Sequence, residues 1–261
     1  MGDAVLFEVN EQGVAIITMN HPQNFNAFNH DLCQGLIDAA TQANEREDVK
    51  VVVLTGTGLA FSAGGDINLL AEMDSPARAK WTFDGSTETV RRILDIGKPV
   101  IAAVNGAVAG AALSMMMACD MIIAAEEARF LFSFIHIAFC PDSGCSYFLT
   151  RKVGYHKAAE ILLLGKVLNT EEASQLGLIN KVVPAGNSLE ESLKWAGKMA
   201  RGPLYTSSMI KKLLRQADAS DFNEQAEAEA LYQVLAWSSP DFQEGARAFL
   251  EKRKPVFTGR S

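Results

Sequence analysis

"KPVIAAV", residues 98–104, runs directly into "NGAVAGAALSMMMACD", residues 105–120, and this junction decides the fold. The first segment is a short apolar run with the character of a buried strand. The second opens on glycine and alanine and then becomes the continuous apolar pattern of a buried helix. The same transition occurs earlier, where "KVVVLT" (50–55) leads through "FSAGGDI" (61–67) into a helical pattern. At each turn the first backbone N–H groups of the helix have no partner inside it, which suits an anion or a developing oxyanion. Either turn alone is also explained by tight strand–helix packing, which needs small residues whatever the function. Two such turns on separate segments are what a two-donor oxyanion hole requires. Neither carries a G-x-G-x-x-G dinucleotide fingerprint or a P-loop lysine.

Working outward, Val5–Asn10 and Val14–Met19 alternate as two strands around a turn at Glu11-Gln12-Gly13. Residues 29–47 form a helix with Leu32, Leu36, Ala39, Ala40 and Ala43 on one face. Met121–Ala124 is a further strand, and helical patterns fill the intervals, so the class is α/β. Beyond Ser188 the strand signals stop. Helices are expected over Leu189–Arg201, Leu204–Ala217, Phe222–Trp237 and Asp241–Lys252, with Asp221 and Ser239-Pro240 as start signals for the last two. The reading is therefore an α/β core over residues 1–200 and a helical C-terminal region over 201–261.

With 261 residues the chain can bury a sizeable core. A net charge of −7 argues against a nucleic-acid surface. No stretch is long and apolar enough to span a membrane, and the first residues lack the basic region of a targeting peptide. Cys33, Cys119, Cys140 and Cys145 lack metal-type spacing and read as free thiols in a reducing compartment, which places the protein in the cytoplasm. No His/Asp/Glu cluster has ligand spacing, so no metal is expected.

Further segments carry a resemblance. "NHPQNFNAF" (20–28), "LTRKVGYHKAAEILLLGKVLNTEEASQLGLINKVV" (149–183) and "EGARAFLEKRKPVF" (244–257) flank the two glycine turns in an order that resembles the crotonase superfamily, the enoyl-CoA hydratase/isomerase family. The resemblance covers almost the whole chain. It implies a crotonase-like spiral of ββα units in two sheets, with C-terminal helices that drive assembly to a homotrimer or homohexamer. It implies an acyl-CoA thioester as substrate, with coenzyme A carried on the substrate and no separate cofactor. The oxyanion donors would be the N–H groups of Gly65 and Ala111, the latter just after Gly110. Asn26, Ala27, Phe28 and Ala63 would lie along the CoA. Phe249 and Lys252 would reach it from the C-terminal helix, although Lys252 among Glu251, Arg253 and Lys254 is equally an ordinary solvated lysine.

The resemblance leaves the reaction open, because this fold hosts several chemistries. Family hydratases resemble one another in using two glutamates, and the matching positions here are Ser114 and Phe134. A hydroxyl is no base at neutral pH, and a phenyl ring can only shape the pocket. One acid remains, Asp142 in "FCPDSGCSYFL" (139–149). By pattern alone it is a helix N-cap. By resemblance it occupies the place of the acid in some family isomerases, and Pro-Asp-Ser-Gly is most similar to the phenylacetate-pathway isomerases.

The expected function is enoyl-CoA isomerisation with Asp142 as single acid/base, in a pocket shaped by Ser114, Phe134 and Phe139. Apolar surroundings would raise the Asp142 pKa. Three alternatives remain: an enoyl-CoA hydratase, a non-catalytic acyl-CoA-binding protein, and an aryl-CoA dehalogenase. The last would need a tryptophan near Phe134 and a histidine near residues 83–92, and the chain has neither. Trp81 and Phe83 read as acyl-pocket lining or as helix core, and the Met115–Met117 run as core. Asp66 is expected to cap a helix, Asp120 to close a strand entry, and Glu126 and Glu127 to be solvated near Arg129.

Overall fold

The computed structural model describes residues 3–259. The chain alternates between two sheets. β1 (Val5–Val9) and β2 (Val14–Met19) form an antiparallel hairpin. β3 (Val51–Gly56), β5 (Val100–Val104), β7 (Met121–Ala125) and β10 (Lys181–Val183) extend it in parallel, in the order β1-β2-β3-β5-β7-β10. The second sheet has the order β4-β6-β8-β9, from β4 (Ala60–Ser62), β6 (Ala107–Ala109), β8 (Arg129–Leu131) and β9 (Val167–Asn169). Thus β3/β4, β5/β6 and β7/β8 each give one strand to each sheet, and each pair then leads into a helix. This is the ββα spiral.

The residue pattern explains the division. β3 and β5 are buried along their length, as strands inside a covered parallel sheet must be. β2 mostly alternates buried and half-buried residues. α1 (His30–Glu45) packs with the five apolar residues expected from its period, and Asn29 caps it by accepting from the Leu32 N–H at 2.9 Å. The three-residue strands of the second sheet are too short to carry a periodic signal. Sequence pattern alone passed over them.

α2 (Ile67–Ala71) and α3 (Pro76–Leu94) follow β4, and α4 (Ala111–Ala118) follows β6. All eight residues of α4 are buried, so the methionine run is core. α5 (Cys145–Val153), α6 (Tyr155–Leu163), α7 (Thr170–Gln175) and α8 (Ser188–Ala200) complete the part up to residue 200. α9 (Leu204–Ala217), α10 (Phe222–Trp237) and α11 (Pro240–Leu250) make up the C-terminal region. Asp221 caps α10 in a reciprocal box with Glu224, and Ser239 caps α11 with Pro240 as its first residue.

Asp120 anchors α9 to the core. It accepts from the Val100 N–H at 2.7 Å and from Lys211 Nζ at 2.6 Å, and Lys211 also donates to the Lys98 carbonyl at 2.7 Å. No helix among the described residues is long and apolar enough to cross a membrane.

Candidate active site

β4 and β6 are parallel neighbours, with Ala60 opposite Ala107 and Ser62 opposite Val108. The turns that leave them therefore emerge side by side. Gly64 lies so close to the second turn that a Cβ there would sit 2.4 Å from the Ala109 carbonyl oxygen. Its φ of +76° also favours glycine. A Cβ on Gly110 would be 3.6 Å from the Gly65 nitrogen. The two glycine turns are in contact.

Hydrogen bonding orients them. Phe28 bridges Gly65 in parallel: its N–H donates to the Gly64 carbonyl at 2.6 Å, and its carbonyl accepts from the Asp66 N–H at 3.3 Å. In a parallel bridge of this kind the Gly65 N–H turns to the opposite side. Ala111 is the first residue of α4 and its N–H has no intrahelical acceptor. Among the described residues neither N–H donates to another protein group. Gly65 and Ala111 thus present two unspent donors from touching turns. Asp66 caps α2 through the Asn68 N–H at 3.0 Å, as its position in the turn suggested.

The Asn26 side chain has a structural role. It is fully buried, and its amide donates to the carbonyls of Thr57, Ala60 and Phe61 at 2.9, 3.0 and 3.2 Å. Its Oδ1 accepts from the His21 N–H at 2.9 Å. That side chain stitches residues 26–28 to the β3–β4 corner and is spent. Ala27 and Phe28 are also buried, whereas Ala63 is exposed beside the turn. The structural duty of Asn26 is invisible in sequence because the carbonyls its amide donates to are more than thirty positions away.

Asp142 lies on the loop before α5 and does not cap it. The N-cap is Gly144, without a side-chain bond, and Asp142 contributes its main-chain carbonyl to the Cys145 N–H at 2.8 Å. The same carbonyl accepts from Ser114 Oγ at 3.1 Å. Ser114, at the position where a hydratase glutamate was expected, therefore ties the Asp142 loop to α4, the helix that carries the Ala111 donor. Asp142 Oδ1 is buried and has no hydrogen-bond partner among the described residues. Burial pushes its carboxyl up to about 6, and the Ser143 hydroxyl, near it but without a formed hydrogen bond, pulls the other way.

The remaining surroundings are apolar or inert. Phe134 is buried, and Phe139 meets Phe83 of α3 edge-on at 5.6 Å between centroids. Trp81 is exposed and stacks on His30 at 5.7 Å. All four cysteines are free. Burial, and then the Asp142 charge, push the Cys145 thiol up to about 12, so it supplies no thiolate. Glu126 and Glu127 are exposed and accept from the Ala185 and Gly186 N–H groups. Phe249 is 83% exposed, and Lys252 is exposed just past α11. A separate cleft of about 590 Å³, lined by Met117, Tyr147, Phe148, Lys211 and Leu214, lies toward the far end of α4 and includes none of Gly65, Ala111 or Asp142.

Two unspent backbone donors on touching turns, with the Asp142 loop tied to α4 through Ser114, suit proton transfer next to a carbonyl. The sequence profile of the enoyl-CoA hydratase/isomerase family matches residues 9–260. The chain is 34% identical over 255 residues to the 1,2-epoxyphenylacetyl-CoA isomerase of Escherichia coli K12, covering 96% of this chain and 97% of that protein. It is 35% identical over 251 residues to the 2,3-dehydroadipyl-CoA hydratase of the same organism, covering 96% and 97%. The crystal structure of an enoyl-CoA hydratase from Bacillus anthracis superposes with a TM-score of 0.94 at 28% identity, covering 98% of this chain and all of that one. The chain belongs to the enoyl-CoA hydratase/isomerase family of the crotonase superfamily and is an enzyme of that family.

Proposed function

We propose that the enzyme is an enoyl-CoA isomerase that converts 3-enoyl-CoA to 2-enoyl-CoA with Asp142 as its single acid/base. One observation carries this reading: Asp142 is the one carboxylate among the described residues with a buried, unpartnered oxygen. Ser114 and Phe134 stand at the positions that match the two glutamates of family hydratases.

The thioester carbonyl accepts from the Gly65 and Ala111 N–H groups. Asp142 takes a proton from C2 of the acyl chain. The electron pair delocalises over C2–C4 and the thioester oxygen as a dienolate. Asp142 then returns the proton to C4, and the double bond moves to C2–C3. Both carbons reach one face of one carboxylate, so no second acid is required. Each oxyanion donor contributes about 2.7–4 kcal/mol to the barrier reduction. A carboxyl at about 6 is mostly ionised at neutral pH yet basic enough to accept a carbon-bound proton. Coenzyme A travels on the substrate, and the steps use no further cofactor.

The name of the Escherichia coli isomerase among the relatives supports the isomerase assignment, and the hydratase relative keeps hydration as the second reading. We place the enzyme in the cytoplasm, which four free cysteines support. We also propose a homotrimer or homohexamer. α10 has no buried residue and exposes Leu231, Val234 and Trp237, which suits burial against a second copy. In that assembly Phe249 and Lys252 would reach bound CoA.

The test compares two rates of the purified enzyme under one set of conditions: 3-enoyl-CoA to 2-enoyl-CoA, and hydration of 2-enoyl-CoA. Isomerisation at least a hundredfold faster supports the proposal. Comparable or faster hydration replaces it with the hydratase reading.

A further inference from the structure

Beside the Asp142 carboxylate is a side chain that the mechanism above leaves idle. Ser143 is 7% exposed, and its Oγ is buried with no hydrogen-bond partner among the described residues. Its backbone is left-handed at φ +49°, a conformation that is strained for a non-glycine residue. Gly144, next in the chain, is also left-handed and carries no such cost. Serine here brings both strain and an unsatisfied buried hydroxyl, where glycine would bring neither. Strain and orphaned polar atoms coincide at functional positions because a partner in the loaded state offsets them.

The neighbours narrow the choice of partner. The Ser114 hydroxyl is already committed to the Asp142 carbonyl. α4 otherwise presents apolar side chains, and α3 presents Phe83 against Phe139. On α5 the titratable group that feels the Asp142 charge is Cys145, which stays protonated. Among the described residues no lysine, arginine, histidine or second carboxylate shifts the Asp142 carboxyl. The adjacent unfilled acceptor is Asp142 Oδ1.

We propose that Ser143 is a positioning residue for the base: when the acyl chain closes the site, its hydroxyl donates to the Asp142 carboxylate and fixes which oxygen faces C2 and C4. This inference rests on the assignment of Asp142 as the base. A hydrogen bond from an uncharged donor to a carboxylate favours the ionised form by about tenfold, equivalent to about one pH unit.

The test is the pH profile of isomerisation between pH 5 and 9 for wild type, S143A, S143G and D142N. Wild-type kcat, which reports the loaded complex, should rise with pH along an acidic limb. In S143A and S143G that limb should move up by about one unit, so kcat at the pH of the wild-type midpoint should fall about fivefold, with KM nearly unchanged. S143G relieves the left-handed strain, so its thermal midpoint should equal or exceed that of wild type, which separates lost positioning from misfolding. A limb that stays in place or moves down in both variants overturns the inference. So does a raised KM with unchanged kcat, because the hydroxyl would then contact the acyl chain instead. D142N separates the two levels: an inactive D142N with unmoved serine variants removes only the role of Ser143, whereas an active D142N removes the base assignment itself.

Discussion

Asp142 should make the protein less stable than it would be without a charge at that position, and the deficit should grow with pH. Burial pushes its carboxyl up to about 6 when folded, against the ordinary aspartate value of 3.8 that serves for the unfolded chain. A raised acid pKa means that the unfolded state gives up its proton first, so folding loses stability as pH rises. The loss begins near 4 and is complete above 6. The full difference of about 2.2 pKa units corresponds to about 3 kcal/mol. Integrating the two titrations gives a cost of about 1.6 kcal/mol at pH 5 and about 3 kcal/mol at pH 8. Asp142→Asn does not titrate, and every other ionisable group largely cancels between variant and wild type. The stability of D142N minus that of wild type should therefore increase by about 1.4 kcal/mol between pH 5 and pH 8. Urea unfolding of both proteins at the two pH values, at one fixed protein concentration, measures this directly. A difference that is flat or falls with pH would refute the burial argument for Asp142.

Three further perturbations probe the scaffold. Gly64→Ala places a Cβ 2.4 Å from the Ala109 carbonyl at a φ of +76°, so it should push the two donor turns apart; isomerase activity should fall at least a hundredfold, with a lower thermal midpoint. Lys211→Ala removes the buried partner of Asp120 and should cost about 1.5–3 kcal/mol in urea unfolding, more than Arg215→Ala, whose contact with Asp120 is longer at 3.4 Å. Leu231→Glu together with Val234→Glu puts charge on the exposed face of α10 and should shift the protein to a smaller species in size-exclusion chromatography; an unchanged elution volume counts against that face as the subunit contact.

Elements with a long period or strong end signals were legible in the sequence. α1 showed its buried face through the Leu32/Leu36/Ala39/Ala40/Ala43 spacing, and α10 and α11 announced themselves through Asp221 and Ser239-Pro240. The strands of the second sheet were not legible, because three residues such as Ala60–Ser62 or Val167–Asn169 define no period. Their existence followed only from the family resemblance. The glycine turns stood out by composition, but their mutual contact depends on the β4–β6 pairing, which is non-local.

For Asp142, residue pattern favoured a helix cap. The structure begins the helix at Cys145 and leaves the carboxylate free, because two successive left-handed residues, Ser143 and Gly144, bend the chain before the helix starts. Ser143 passed unnoticed because serine before glycine is ordinary loop chemistry until its burial and its φ are known.

The most direct test of the single-base account is the isomerisation of a 3-enoyl-CoA carrying deuterium at C2, followed in wild type and D142N under saturating substrate. The account predicts that wild type delivers part of the label to C4 of the product. It also predicts that D142N loses at least a hundredfold in rate while still binding the CoA ester. A D142N enzyme within about tenfold of wild type would contradict it, as would a wild-type product whose C4 proton comes entirely from solvent in D142N and wild type alike.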